Sequence, residues 1–343
     1  MKNTNQRVLL CTLAAALLLS GCGGKKPDSG SQNSSGSMGS SGSTSGSSQG
    51  AWRTGLGVVT KAEATERVGT ITTTAAAVLL DADGKLVDVM LDELETSVSA
   101  DGTGAVTMPS DYRTKRQKGQ DYPLAEVSSI RKSWAEQADS FADYLIGKTM
   151  DEVKKLELDE SGKAKEADLL SGCTIVVEPY RDAILRACEN AKALGAAKGD
   201  RVTLGIEAGN ASSGSAAIDD KDLMAQVDTT LAALTMDEND RVTSAVVDMT
   251  EPAVTVSADG TVNAPEDIRT KLEQGDDYGM RKASKLGKEW YEHSEGYCDY
   301  LKGKNVTEVG RIPADGSDVD LLALCTISTE EMHMAVLKAM KAE

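Results

Sequence analysis

The chain has 343 residues, with 54 Asp and Glu against 37 Lys and Arg, for a formal net charge of −17 at pH 7. That balance argues against binding nucleic acid or adhering to anionic lipid, and favours solubility or a basic partner. Aromatic residues make up only 3%, with Phe141 the single Phe, which counts against the aromatic-rich clefts of solute-capture proteins.

In chain order, residues 1–21 read as a signal peptide. Lys2 and Arg7 precede an apolar run from Val8 to Leu19, too short to span a bilayer, which leads into Leu19-Ser20-Gly21-Cys22. Those four residues resemble a bacterial lipobox. The resemblance implies cleavage before Cys22 and lipid on its thiol, placing the mature chain on the extracytoplasmic face of the cell membrane. Residues 22–51 then form a Gly/Ser-rich linker, a flexible coil with an r.m.s. reach of about 30 Å.

The remainder is long enough for two domains, and it contains a repeat. Arg113-Thr114-Lys115 returns as Arg269-Thr270-Lys271, Asp121-Tyr122 as Asp277-Tyr278, Trp134 as Trp290 and Gly147-Lys148 as Gly303-Lys304, all at an offset of 156. Asp168-Leu169-Leu170-Ser171-Gly172-Cys173-Thr174-Ile175 is echoed by Asp320-Leu321-Leu322-Ala323-Leu324-Cys325-Thr326-Ile327. A unit of this length is a duplicated domain rather than a solenoid repeat, so domains are expected at 52–200 and 201–343.

Strands are predicted at 71–80 and 85–97 around Asp83-Gly84, and at 226–236 and 241–248 around Asn239-Asp240. Helices are predicted over 124–146 and 280–301, with Trp134, Tyr144, Trp290 and Tyr300 on their buried faces. A last helix follows each Cys-Thr-Ile, begun by Pro179 in one copy and by a Ser328-Thr329-Glu330-Glu331 capping box in the other. The fold class is therefore α+β: two tandem homologous domains, each an antiparallel strand hairpin or small sheet packed with two helices.

Asp83-Gly84-Lys85, Glu95-Thr96 and then Asp168-x-x-Ser171-Gly172-Cys173-Thr174 make the first copy resemble the FMN-binding domain of flavin-carrying redox-pump subunits and electron-transfer lipoproteins. The resemblance implies that Thr174 accepts FMN through a phosphoester bond and that Asp168 is part of the sequence a flavin transferase recognises. Gly172 would let the backbone approach the phosphate, Ser171 would complete the motif, and the helix start downstream would offer free N–H groups. The second copy has Ala323-Leu324 in place of Ser-Gly. One flavin at most is thus expected, on the first domain, with Thr326 a structural turn residue.

Other chemistries have less material. His293 and His333 are the only histidines; both are expected to be exposed, and no metal site is expected. Without a C-x-x-C, neither a zinc knuckle nor a thioredoxin-type pair is present. Cys173 and Cys325 are expected to be buried packing residues, and a Cys298–Cys325 disulfide is permitted by the compartment. Asp219-Asp220, Asp237-Glu238 and Asp276-Asp277 read as solvated turns. The Arg-Thr-Lys repeats read as a phosphate or partner contact or as a paired surface loop. The expectation is a lipid-anchored, flavin-based electron carrier with a redox partner protein. The alternative is a binding or scaffold lipoprotein that kept the duplicated fold without cofactor.

Overall fold

The computed structural model describes residues 50–210, 214, 221–313 and 316–342. The signal peptide, Cys22, all but the end of the linker, and Asp219-Asp220 lie outside the described residues. In the first repeat, β1 (Arg53–Thr65), β2 (Val68–Leu80), β3 (Leu86–Ala100) and β4 (Val106–Thr107) form an antiparallel sheet in that order. Short helices α1 (Lys115–Lys118) and α2 (Leu124–Val127) follow, then α3 (Trp134–Leu145), α4 (Met150–Lys154), α5 (Ala167–Leu170) and α6 (Glu178–Asn190).

The second repeat contains β5 (Arg201–Gly209), β6 (Leu223–Gln226), β7 (Asp228–Met236), β8 (Val242–Thr250), β9 (Ala253–Val256) and β10 (Val262–Asn263). Its helices are α7 (Lys271–Gln274), α8 (Trp290–Leu301), α9 (Val306–Val309), α10 (Val319–Leu322) and α11 (Glu330–Met340). The order β5-β7-β8 makes one antiparallel sheet, and β10-β9-β6 a smaller one that continues the β7–β8 hairpin outward. Thr74 lies opposite Glu93, and at the same offset of 156 Thr230 lies opposite Met249, so the hairpins share one register.

The fold is α+β. Residues Ala75 to Leu80 are buried without alternation, as a strand covered on both faces requires. One face of the first sheet carries α3 and α6 around Phe141, Tyr180 and Ile184. The equivalent face of the second sheet carries α8 and α11 around Tyr297, Met332 and Val336. The opposite faces meet each other, burying Leu56, Val58, Leu79, Leu204, Ile206 and Leu231. Beyond them, the far ends of the two hairpins pack together through Ile71, Val98, Val227 and Val254. The result is four layers, helix–sheet–sheet–helix. β1 lies against β8 as β5 lies against β3, a pseudo-two-fold arrangement resembling the isologous interface of a dimer.

The structure alters several sequence expectations. The long helix predicted over 124–146 is broken: α2 ends at Val127, and Ser133 with Glu136 forms a capping box that starts α3 at Trp134. Its counterpart likewise starts late, at Trp290, behind a Glu289–Glu292 box. Thr329 makes no side-chain cap on α11, so the predicted box there does not form. β1 and β5 escaped the repeat because they correspond at an offset of 148. Gly57 and Gly205 mark that correspondence. A Cβ at Gly57 would collide with the Ala183 carbonyl and one at Gly205 with the Ala335 carbonyl, so each glycine lets α6 or α11 lie directly on its edge strand.

Candidate functional site

The recurring Asp-Leu-Leu…Cys-Thr-Ile segment forms a short helix and a turn that lock onto the preceding long helix. Leu169 and Cys173 are buried, as are Leu321 and Cys325. The turn is held by one side chain on the long helix. In the first repeat Gln137 Oε1 accepts from Thr174 N at 2.9 Å and from Thr174 Oγ1 at 3.1 Å, while its Nε2 donates to Ser128 Oγ at 3.1 Å. In the second repeat the equivalent residue is His293. Its Nδ1 accepts from Thr326 N at 3.3 Å, and its Nε2 is 2.8 Å from Ser284 Oγ. Because Nδ1 must accept, the proton sits on Nε2 and the ring is neutral. Burial, then Lys288 nearby, holds its pKa below the usual histidine value. His293 is fully buried and His333 half-buried, so the expectation that both are exposed is wrong. His293 takes over a glutamine's hydrogen bonds.

The Ser-Gly difference between the repeats is a packing exchange. A Cβ on Gly172 would lie 2.9 Å from Ser140 Cβ on α3. In the second repeat Leu324 replaces Gly172, and Gly296 replaces Ser140; a Cβ on Gly296 would lie 2.6 Å from the Leu324 carbonyl. Each repeat keeps one glycine at this crossing, on opposite sides. Gly172 is therefore explained by contact with α3 rather than by approach to a phosphate.

The helix start downstream is also occupied. Val177 N and Glu178 N both donate to the Gly162 carbonyl, and Pro179 has no N–H. The anion cradle expected at that helix start is thus not available. Ser171 Oγ donates to the Asp168 carbonyl, and both residues are exposed on α5 and the turn after it.

Of the four motif residues, Thr174 alone lines a cleft. This cleft of about 620 Å³ is walled by Tyr122, Trp134 and Tyr180, with Lys115 and Glu93 at its base and Lys163, Val127 and Val176 along its rim. Its volume falls within the roughly 300–1,000 Å³ of small-molecule sites. Trp134 Nε1 donates to Tyr180 Oη at 3.1 Å, and the rings meet edge to face at 5.8 Å. Lys115 Nζ lies 2.5 Å from Glu93 Oε1, both nearly buried, and 5.0 Å from the Tyr122 ring. Burial would lower the pKa of Lys115, but Glu93 outweighs it and the lysine stays charged, above its usual value.

The Arg-Thr-Lys motif builds this floor. Thr114 caps α1 with Gln117, and Thr270 caps α7 with Glu273. Beneath each cap lies a buried aspartate, Asp92 or Asp248, accepting from Arg116 N or Leu272 N. Burial pushes Asp248 up to about 6, despite its hydrogen bonds from Thr270 and two backbone amides. Arg113 pairs with Asp111 and Asp121, and Arg269 with Asp267 and Asp277. The arginines tie down their own loop, whereas the lysines face inward. Asp92, Asp248 and Gln137 were missed in the sequence, although the two aspartates repeat identically at an offset of 156.

Cys173, Cys188, Cys298 and Cys325 are free and buried, so the permitted Cys298–Cys325 bridge does not form. Burial raises the Cys298 thiol to about 12 and the Cys173 and Cys188 thiols to about 11, leaving them unreactive at neutral pH. Among the described residues no cluster of His, Cys, Asp or Glu is arranged to hold a metal, and no helix is long and apolar enough to cross a membrane.

No protein-family model matches the chain, and no solved structure matches it. Among curated proteins it is similar to a chlorophenol reductase from Desulfitobacterium hafniense, 52% identical over 40 residues. That match covers 12% of this chain and 12% of that protein, too little to carry a family or an activity across.

Proposed function

We propose that the protein is a lipid-anchored, extracytoplasmic electron carrier that holds one FMN in the first repeat. The observation that carries this reading is the aromatic cleft onto which Thr174 opens. The residues fit the group in part. Half-buried Tyr122 offers ring surface at the wall, with Trp134 and Tyr180 almost fully buried behind it, and Thr174 lines the same cleft, its hydroxyl donating to Gln137. Lys163 is positioned to balance a phosphate, in place of the occupied helix start. When bound, the flavin would supply the one- and two-electron chemistry. The chain's own residues would orient it, shield one side from water and leave the rim open to a redox partner protein. Attachment at Thr174 would require a flavin transferase, with Asp168 and Ser171 exposed to it. The lipid at Cys22 would keep the unit at the membrane surface.

A second reading has its own support. Hydrogen bonding to Gln137 and the Gly172–Gly296 exchange account for the shared motif as a folding device, as a cofactor-free binding or scaffold lipoprotein would need. One experiment separates the two. The mature chain is produced with a flavin transferase, denatured, and inspected for ultraviolet-excited fluorescence travelling with the polypeptide. Fluorescence that disappears in Thr174→Ala supports the flavin reading. A colourless wild type that also fails to bind added FMN leaves the scaffold reading.

A further inference from the structure

The base of the first cleft is polar where the second repeat is apolar. Glu93 Oε1 lies 2.5 Å from Lys115 Nζ, and Glu93 Oε2 accepts from Thr74 Oγ1 at 2.9 Å. Tyr180 Oη donates to the same carboxylate while accepting from Trp134 Nε1 at 3.1 Å. At the matching positions of the second repeat, Met249 stands for Glu93 and Met332 for Tyr180, both buried in its core. Thr230, Lys271 and Trp290 keep the other three places. With no inner carboxylate to meet, Lys271 pairs with Glu251 at 2.8 Å. Glu251 corresponds to Glu95, which in the first repeat lies 4.0 Å from Lys115.

The second repeat therefore serves as an internal control: this scaffold packs with two methionines and an outer ion pair. Burying a carboxylate and an ammonium costs desolvation that apolar packing avoids, so folding alone does not explain the Glu93 network. Its position gives a second, independent observation. Glu93, Lys115, Trp134 and Tyr180 all line the aromatic cleft. An ammonium has three donors and a carboxylate about four acceptor sites, so the pair keeps capacity beyond the bonds within the network. It sets a donor beside an acceptor at the base of a cavity of small-molecule size.

We propose that Lys115 and Glu93 are specificity-determining residues of the first cleft, selecting a planar heteroaromatic ligand by hydrogen bonds to a carbonyl and an N–H on its polar edge. The proposal deepens the flavin reading and rests on it for the identity of the ligand. The pyrimidine edge of a flavin carries a ring N–H, at N3, between two carbonyls. With that edge at the base, the phosphate end is directed towards Thr174 and Lys163.

The test measures, by equilibrium dialysis, the binding of free FMN and of FMN methylated at N3. It compares the mature wild type with Glu93→Met plus Tyr180→Met, the second repeat's own residues. The wild type is expected to bind FMN about tenfold or more tightly than the methylated form. The double variant is expected to bind FMN about tenfold or more weakly than the wild type and to lose that preference. Without ligand it should be at least as stable as the wild type in urea, whereas a purely structural network would lower stability and leave the preference in place. Equal binding of the two ligands by the wild type, a preference kept by the double variant, or a markedly destabilised double variant overturns the proposal and leaves the flavin reading standing. A wild type that binds neither ligand overturns the flavin reading and the proposal with it.

Discussion

Gln137 and His293 occupy one position and perform one task with different chemistry. An amide accepts and donates at any ordinary pH, whereas an imidazole does both only while neutral. Protonated His293 would present Nδ1–H to the Thr326 N–H and lose the bond that holds the turn. Its folded pKa lies below the ordinary 6.5, so the unfolded chain binds the proton more readily. The stability from His293 is therefore complete above about pH 6.5 and is lost as pH falls through the folded pKa. Asp248 acts in the opposite direction: raised to about 6 from 3.8, it contributes stability below 3.8 that is lost as pH rises through about 6. A pH profile of the wild type mixes the two, and the difference from His293→Gln isolates the histidine. The wild type is predicted to lose stability relative to His293→Gln as pH is lowered from 7 to 5, measured by urea denaturation at each pH. A constant difference across that range would contradict the neutral-tautomer assignment.

The Cys-Thr-Ile turn and the long helix fit by exchange of a glycine, Gly172 against Ser140 and Gly296 against Leu324. Gly172→Leu alone is predicted to destabilise the chain by about 1–3 kcal/mol through overpacking. Adding Ser140→Gly should recover more than half of that, although a glycine inside α3 costs about 1 kcal/mol by itself. A double-mutant cycle in urea reads the coupling; additivity within about 0.5 kcal/mol would show that the two positions do not share a contact. This pair also shows where sequence reasoning stopped. The hairpins, the last helices and the α+β class were legible because turn residues and apolar periods are local signals. Comparing only the turn segments made Ser171-Gly172 look functional, because the compensating glycine lies on another element, 124 residues further along. The breaks before Trp134 and Trp290 were missed for a related reason. Apolar spacing continued through them, and the Ser133–Glu136 capping box went unread inside an apparently helical run. β1 and β5 went unread because their correspondence follows a different offset from everything after them.

At the level of the whole chain, the two repeats are joined through the faces of their sheets. Leu56, Leu79, Leu204, Ile206 and Leu231 lie between them, and each such side chain loses about 1.5–3 kcal/mol if exposed. Asp88 accepts from Val202 N at 2.7 Å across the same junction. Neither repeat buries its strands alone, so the pair is predicted to unfold in one step. Urea transitions read at Trp134 and at Trp290 in single-tryptophan variants should coincide, and transitions separated by more than experimental error would show two independent domains. The proposed flavin function is tested most directly at Thr174, the residue it names for attachment. Mass spectrometry of peptides from the mature chain, produced with a flavin transferase, should find one flavin phosphate on the peptide containing Thr174 and none on that containing Thr326. Flavin on the Thr326 peptide, or on neither, would contradict the account.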